Sequence, residues 1–451
     1  MSKIRLVFFV VVVLLSSHNH AVEAARGLPV EFLPGFDGPL PFQLQTGYNI
    51  GVGQNEEIQL FYYFIKSDSN PQEDPLILWI TGGMSCSVLD AIFQQIGPLF
   101  IEPVEYNGSL PRLLPFPYSW TKVASFIFLD FPAGVGFSYA TTAESLQSND
   151  LLVSSNAYEF LQKWLIDHPE FLSNPFYVGG HSSAGIKVPI VAEMISNGIE
   201  SGIKPLIQLQ GYILGSPRAF ETQENYMVPY AYGMGLITDQ LYESLKENCK
   251  GDYINVDPTN LQCQQDLRIF NKPACLSSSD TTMSSHIMLP GQKSLYHDLY
   301  TKLKIDPFLV SGFQCRDEWT NLIAYWVNDY DVQMALHVRQ GTNEKWQQCT
   351  QSLPYITNVD NTIAYHLNLR GGDHELVCPY LSSEAWIKSL NYSIIDNWRS
   401  WMVEGQVAGY TMTYANKMTF ATVKGGGHVA PDYRPFESQV MFERWIFYEN
   451  L

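Results

Sequence analysis

The first pattern in this chain that could do chemistry is the hexapeptide GHSSAG at residues 180–185. It follows an apolar run at 176–178 and precedes a stretch with helical periodicity, so it lies at a strand-to-helix turn. A serine in such a turn can be exposed as a nucleophile when small residues flank it, because larger side chains would not let the chain turn so tightly. Gly180 and Ala184 fill the two flanking positions around Ser182. A serine that only caps a helix would give a similar pattern, so the assignment needs further residues.

Two later segments supply the other groups that a nucleophilic serine needs. Hydrolases with such a serine place an acid after it along the chain, and a histidine last. Segment 372–375, with the sequence GDHE, offers Asp373 and Glu375 as the acid. His428 follows three glycines, at 425–427, where the backbone must approach its neighbours closely. In this order the residues predict a triad in which the serine attacks a carbonyl carbon, the histidine accepts its proton and the acid orients the histidine.

Short apolar runs alternate with helical patterns along most of the chain. The wholly apolar run at 76–80 ends near paired glycines and predicts a strand that is buried on both faces. Further strand candidates lie at 125–130, 176–178, 211–214, 364–369 and 418–423, and helical patterns lie at 151–166 and 184–197. Buried strands that alternate with helices predict an α/β fold, with a mostly parallel sheet covered by helices on both faces.

This alternation stops between about residues 218 and 325. The part of that stretch before Phe313 contains three of the seven cysteines, together with a Ser/Thr-rich segment at 277–285. We expect an insertion that lies on the sheet, where insertions commonly cover a ligand site. The predicted organisation is a single domain at 26–451 with a cap insertion at about 218–325.

The first 25 residues have the layout of a secretory signal peptide. Lys3 and Arg5 give a positive start, residues 6–15 are an apolar run of ten, and small residues lead to Ala25. Ten apolar residues are too few for a membrane span, which needs about 20, and no later segment is suited to one. A buried N-terminal strand is the alternative. We expect a signal peptide at 1–25 and a soluble mature protein in the secretory pathway.

Composition excludes several other classes of function. Asp and Glu outnumber Lys and Arg by 45 to 27, giving a net charge of -18, and there is no Lys/Arg-rich run to bind a phosphate backbone. Nucleic acid is therefore not an expected partner. The seven cysteines include no CxxC pair, and His374 has no second ligand at zinc-like spacing, so no metal site is predicted. In an oxidising compartment the cysteines should mostly pair and leave one over.

At this point the chain resembles the plant serine carboxypeptidase-like proteins over nearly its whole mature length. The motifs that carry the resemblance are LILWITGGMSCSVLDAIFQQIGP at 76–98, FLDFPAGVGFSY at 128–139, YVGGHSSAGIKVP at 177–189, NDYDVQMALHV at 328–338, GDHELVCP at 372–379 and KGGGHVAPDYRP at 424–435. The resemblance implies an α/β-hydrolase fold and a secreted or vacuolar glycoprotein. It also implies either peptidase or acyltransferase chemistry, with no cofactor.

The resemblance also implies a role for individual residues. Ser182 matches the nucleophile and His428 the general base. The acid of the family is the last residue of a Gly-Asp-x-Asp motif, which falls on Glu375 in this chain. The backbone N–H groups of Gly83 and Ser183 match the oxyanion hole, the pair of donors that stabilises the negative oxygen of the transition state.

Three positions bear on the choice between peptidase and acyltransferase. Peptidase relatives hold the free carboxylate of their substrate with Asn, Glu and Glu, and the matching residues here are Thr81, Gln95 and His181. Thr81 is shared with the acyltransferase branch, whose members move an acyl group from a 1-O-β-glucose ester to an alcohol. The other two residues indicate a reshaped substrate pocket.

Three hypotheses follow from these differences. The first is an acyltransferase with an acylglucose donor and an alcohol acceptor, acting in plant specialised metabolism; glucose esters are activated, so this reaction needs no coenzyme A or metal. The second is a serine carboxypeptidase. The third is a catalytically weak paralogue that supports an active protein partner.

Disulfides and glycosylation sites are also expected. The resemblance implies the disulfides Cys86–Cys349, Cys249–Cys263 and Cys275–Cys315, which leaves Cys378 free. Two glycosylation sequons begin at Asn107 and Asn391, and a signal peptide would make them usable.

Overall fold

The structure is a computed structural model that describes residues 27–48, 50–271, 317–342, 345–363, 369–372, 379–415 and 417–451. Several of the predictions concern residues outside these ranges and stay predictions: the signal peptide at 1–25, the pair Cys275–Cys315, the candidate acids Asp373 and Glu375, and Cys378.

A sheet of eleven strands forms the centre of the described part of the chain. In chain order its strands are β1 (Leu28–Val30), β2 (Leu44–Gly47), β3 (Tyr62–Ile65), β4 (Leu76–Ile80), β5 (Ser125–Leu129), β6 (Phe176–His181), β7 (Leu209–Gly215), β8 (Leu369–Gly372), β9 (Ile394–Val403), β10 (Gln406–Tyr414) and β11 (Thr419–Val423). Their order across the sheet is β1-β2-β3-β5-β4-β6-β7-β8-β11-β10-β9. The strands from β5 to β11 in this order are parallel, and antiparallel strands flank them on both sides.

The α-helices of the described residues are α1 (Asp150–Asp167), α2 (Ala184–Glu200), α3 (Met227–Gly233), α4 (Asp239–Cys249), α5 (Leu261–Phe270), α6 (Asp317–Val327), α7 (Tyr330–Ala335), α8 (Tyr380–Ser389), α9 (Ala430–Tyr433) and α10 (Pro435–Ile446). A π-helix spans Ala91–Gln95, and short 3-10 helices span Trp120–Lys122, Glu144–Leu146, Pro169–Phe171 and Glu221–Tyr226. Outside the main sheet, the strands Gly51–Val52, Ile58–Gln59 and Tyr139–Ala140 form a three-stranded sheet. Two strand pairs are Leu99–Ile101 with Leu113–Pro115 and Ser148–Asn149 with Tyr355–Ile356.

Strand β4 shows why the sheet is covered on both faces. All five of its residues are buried. Leu76, Leu78 and Ile80 pack in one core cluster with side chains of α1 and α2, whereas Ile77 and Trp79 pack in a second cluster with side chains of α6 and α10. Side chains alternate along a strand, so a strand between two layers of helices must be apolar at every position. The predicted α/β-hydrolase fold class is confirmed.

The structure adds strand residues to those predicted after residue 360. Residues 364–368 of the strand expected at 364–369 are outside the described ranges, and its last residue, Leu369, is the first residue of β8, Leu369–Gly372. Pairing with β11 along its whole length keeps the two glycines of β8 extended, although glycines usually indicate the end of a strand. The hairpin β9–β10 was not predicted. It turns at Glu404 and Gly405, which have φ angles of 47° and 76°.

The expected cap insertion contains helices α3, α4 and α5, which follow β7. The disulfide Cys249–Cys263 joins α4 to α5 and lies in a small core of their own. Helix α6, at the end of the predicted insertion, instead packs in the main core through Trp326. The division of the chain into one domain and a cap stays a prediction. Among the described residues, none of the helices is long and apolar enough to cross a membrane.

Candidate functional site

Ser182 lies in a sharp turn between β6 and α2. Its φ angle is +56°, in the left-handed region that side chains other than glycine rarely adopt. Holding a non-glycine residue there costs about 1–3 kcal/mol, and such strain concentrates at functional sites. Hydrogen bonds overcome this cost: the Ser182 amide donates to the Gly215 carbonyl (2.9 Å), and the Ser182 carbonyl accepts from the amides of Gly185 (2.9 Å) and Arg218 (2.8 Å).

The small residues around Ser182 are required by this turn. A Cβ atom added to Gly180 would lie 2.4 Å from the Ile80 carbonyl oxygen and 2.7 Å from the Cβ of Ala184. Any side chain at 180, or a larger one at 184, would therefore push strand and helix apart. The local geometry agrees with the nucleophile turn that the hexapeptide predicts.

The loop after β4 passes directly against Ser182. A Cβ on Gly82 would lie 2.7 Å from the Ser182 Cβ, so only glycine lets the two backbones approach this closely. Gly83 has a φ angle of +78°. Ser183 directly precedes the first residue of α2. Amides at the start of a helix have no partners within the helix and can bind other groups. The two predicted oxyanion-hole residues therefore lie on the two backbone segments that meet at Ser182.

Covalent and polar contacts fix this loop from its other side. Cys86 forms a disulfide with Cys349, and its sulfur fills the space that a Cβ on Gly83 would need. The Ser87 amide donates to the Gln348 carbonyl at 2.7 Å. The segment around Cys349 thus holds the loop that carries Gly83.

Sequence reasoning missed a further residue that anchors the loop, Asp130. Its carboxylate is fully buried and accepts hydrogen bonds from the Ser87 hydroxyl (2.7 Å), the Val88 amide (2.9 Å) and the Phe137 amide (3.3 Å). Burial raises the pKa of Asp130 to about 6, against these hydrogen bonds, which lower it. The available signal was an acidic residue directly after the apolar run 126–129.

His428 reaches the same edge of the sheet from β11. A Cβ on Gly427 would lie 2.4 Å from the Tyr433 ring, which explains the glycine before the histidine. The half-buried His428 ring lies 6.5 Å from the ring of His181, measured between centroids. Since His181 is the neighbour of Ser182, the structure brings the predicted nucleophile and base to one site.

The position of β8 relates the candidate acids to this site. Gly372, its last residue, pairs in parallel with Val423, the last residue of β11. Parallel strands end at the same edge of a sheet, so the chain leaves β8 towards Asp373 and Glu375 at the edge where it leaves β11 towards His428. Both acids are outside the described residues, and the role of Glu375 stays a prediction.

The three residues expected to bind substrate are all buried: Thr81, Gln95 and His181 have exposed fractions of 8%, 5% and 7%. Thr81 directly follows β4. Gln95 ends the π-helix Ala91–Gln95, which lies against α9 just after His428, and its Oε1 has no partner among the described residues. Burial, with a smaller contribution from His428, lowers the pKa of His181 to about 3, so its ring is neutral. In the described part of the chain no three His, Cys, Asp or Glu side chains are grouped to hold a metal.

Comparisons with known proteins match this chain over most of its length. A family model described as serine carboxypeptidase matches residues 34–448. Serine carboxypeptidase-like 12 of Arabidopsis thaliana is 47% identical over 440 residues, 95% of each chain, and serine carboxypeptidase-like 7 of the same plant is 48% identical over 92% of each. Among solved structures, a prohormone-processing carboxypeptidase from Saccharomyces cerevisiae has a TM-score of 0.67 at 20% identity, covering 90% of this chain and 91% of that one.

Proposed function

We propose that this chain, which belongs to the serine carboxypeptidase family, is an acyltransferase that moves an acyl group from a 1-O-β-glucose ester to an alcohol. The observation that carries the proposal is the set of residues at the three expected substrate positions. Thr81, Gln95 and His181 are buried, and none of them is an acid. These three positions therefore lack the pair of carboxyl groups with which peptidase relatives hold a free carboxylate.

The first half of the reaction forms an ester on the protein. The Ser182 Oγ attacks the carbonyl carbon of the glucose ester while His428 accepts its proton. The negative oxygen that develops is stabilised by the amides of Gly83 and Ser183, each worth about 3–4 kcal/mol in a serine hydrolase. The bond between the acyl carbon and the C1 oxygen of glucose then breaks, and His428 returns the proton to that departing oxygen. Glucose leaves, and the acyl group stays on Ser182.

The second half of the reaction transfers the acyl group. An alcohol takes the place of glucose, His428 removes its proton, and its oxygen attacks the acyl carbon. Breaking the bond to Ser182 Oγ releases the new ester, and His428 returns the proton to the serine. Water in place of the alcohol would give hydrolysis, so the outcome depends on which hydroxyl the pocket holds near the acyl carbon. Glu375 orients His428 in both halves.

Two surface features support passage through the secretory pathway. Asn107 and Asn391, the acceptors of both sequons, are exposed. At the first sequon the Ser109 hydroxyl donates to the Asn107 Oδ1 at 2.5 Å, so the asparagine and the serine of the motif already contact each other. We propose a glycoprotein of the vacuole or the extracellular space, made with the signal peptide 1–25.

The test of the proposed function is a substrate panel offered to the purified, glycosylated protein. A set of 1-O-acyl-β-glucoses with alcohol acceptors should yield one new ester for each glucose released, and Ser182→Ala protein is the control. A blocked dipeptide at acidic pH tests the carboxypeptidase, the second candidate, which membership of this family favours. Peptide cleavage without ester formation would contradict the acyltransferase. No turnover in either assay would favour the weak paralogue with an active partner.

The two disulfides should differ in their effect on turnover. Removing Cys86–Cys349 by changing both cysteines to alanine should lower the free energy of unfolding by up to about 5 kcal/mol, because the bridge spans 263 residues. It should also slow turnover by at least about tenfold, since Gly83 would lose the cysteine sulfur that packs against it and positions it. Removing Cys249–Cys263, which spans 14 residues, should cost about 3 kcal/mol and leave turnover unchanged. Denaturant titration and initial rates check both; equal losses of rate would contradict the role of the first bridge.

A further inference from the structure

The imidazole of His181 is in contact with the loop that carries Gly83. The amide of Gly82 donates a hydrogen bond to the His181 Nε2 at 3.3 Å. A Cβ on Gly82 would lie 2.9 Å from Cδ2 and 3.0 Å from Nε2 of the same ring. The Gly82 backbone therefore contacts the edge of the imidazole ring, one residue before the proposed oxyanion donor.

This hydrogen bond determines where the proton of the ring lies. A nitrogen that accepts an N–H carries no proton, so the neutral ring must be protonated at Nδ1. Burial, and to a lesser extent the nearby His428, lowers the pKa of His181 to about 3. Nε2 therefore remains an acceptor for the Gly82 amide in neutral and mildly acidic solution.

The other ring nitrogen is a donor that has no acceptor in the part of the chain that the structure describes. The Nδ1 atom of His181 is buried and has no hydrogen-bond partner among the described residues. The Trp79 ring lies 6.3 Å away between centroids, and its Nε1 is also buried, with no partner in the described ranges. A buried donor left unpaired destabilises the protein, and a ligand with an acceptor oxygen would satisfy it. His181 is the residue next to Ser182 in the chain, so its Nδ1 donor belongs to the site where such a ligand is expected.

We infer that His181 both positions the oxyanion loop and contacts the substrate: Nε2 holds the Gly82 amide so that the Gly83 N–H faces the reacting carbonyl, and Nδ1–H donates to an oxygen of the substrate. The inference rests on the proposed roles of Ser182 and Gly83. It does not depend on which acyl donor or acceptor the protein uses. A carboxylate at 181, as in the peptidase relatives, cannot offer both an acceptor and a donor in this way unless it is protonated.

Three substitutions separate the two roles. His181→Gln places an amide oxygen near the position of Nε2 and keeps the acceptor for Gly82. His181→Asn places an amide nitrogen near the position of Nδ1 and keeps the donor. His181→Phe keeps the ring shape and removes both. His168→Phe is the matched control, because His168 is another buried histidine, stacked on Trp164 on α1.

The first readout is the rate at which a fluorophosphonate probe labels Ser182. The serine oxygen attacks phosphorus, fluoride leaves, and His428 takes the serine proton, so no acyl donor is needed. We expect labelling about 10–100-fold slower in His181→Phe and His181→Asn, since misplacement of a donor by 1 Å can cost about 10²-fold. His181→Gln should recover most of the rate, and His168→Phe should match the wild type. With 1-O-benzoyl-β-glucose as donor, His181→Gln should raise KM and change kcat little, whereas His181→Asn should lower kcat.

Wild-type labelling rates in His181→Phe would overturn the inference, as would rescue by Asn rather than Gln. If no variant and no wild-type protein is labelled, Ser182 is not an activated nucleophile, and the inference fails with it. The expected labelling pattern without turnover of any acylglucose would instead refute only the proposed function. A second measurement needs no folded variant: ¹⁵N spectra of ring-labelled histidine at pH 6 should show His181 neutral and protonated at Nδ1. A proton on Nε2 would refute the inference.

Discussion

Changing Ser182 to alanine is expected to lower turnover by about 10⁶-fold, the loss seen when a serine-protease nucleophile is removed. No other hydroxyl is expected to take its place. The Ser183 side chain is on the next residue but is buried and has no hydrogen-bond partner among the described residues. The fold should survive, because alanine makes the same turn and the hydrogen bonds of residue 182 described above are made by its backbone. Initial rates and thermal unfolding check the two expectations.

The strain in the turn at residue 182 also predicts an effect on the free energy of unfolding. Ser182→Gly should abolish turnover equally but raise the free energy of unfolding by about 1 kcal/mol over Ser182→Ala, because glycine adopts the φ of +56° without strain. Ser201→Ala, at the exposed C-terminal end of α2, is the control and should keep wild-type rate and stability. A rate above about a thousandth of wild type in Ser182→Ala would exclude this serine as the nucleophile.

Changing Glu375 to glutamine should lower turnover by about 10⁴-fold, as the corresponding change does in a serine protease. Glutamine keeps the size and hydrogen-bonding ability of the residue but removes the charge that holds His428 in the form that accepts the Ser182 proton. The strand pairing of Gly372 with Val423 brings the start of this segment and that of the His428 loop to one edge of the sheet. Initial rates of Glu375→Gln protein with the acyl donor that the wild type accepts check the expectation.

Asp373→Asn is the matched control for the acid. It removes one charge from the same segment, and we expect a much smaller loss of rate and a larger loss of stability. Glu375→Asp, which introduces the residue usual in the family, should keep most of the activity or raise it. A large loss of rate in Asp373→Asn together with a nearly silent Glu375→Gln would move the acid two residues earlier in the chain.

Features that depend on near neighbours in the chain could be predicted from the sequence. Strand β4 is observed with the bounds that its five apolar residues predict, because a strand covered on both faces has no polar position. The turn at Ser182 was likewise predictable. Its requirement for small residues is met at Gly180 and Ala184, which lie within two positions of the serine.

Features that depend on packing between distant segments could not be predicted in the same way. Glycines usually indicate the end of a strand. Strand β8 nevertheless includes two of them, because β11 pairs with it along its whole length. Asp130 looked like the polar end of an apolar run, yet it is buried and anchors the loop that carries Gly83. Neither result follows from local residue preference, since each depends on partners dozens of residues away.

The sequence by itself therefore determined the fold class, the turn at Ser182 and the order of the residues that we propose as a triad. It also placed uncharged residues at the three substrate positions. Only the tertiary structure decided that the ring of His181 would meet the amide of Gly82, 99 positions earlier in the chain. Strand order places β4 beside β6, and this adjacency brings the glycine loop onto the histidine. The protonation and the partners of a buried side chain are determined by the groups packed around it, and in this site those groups come from separate strands.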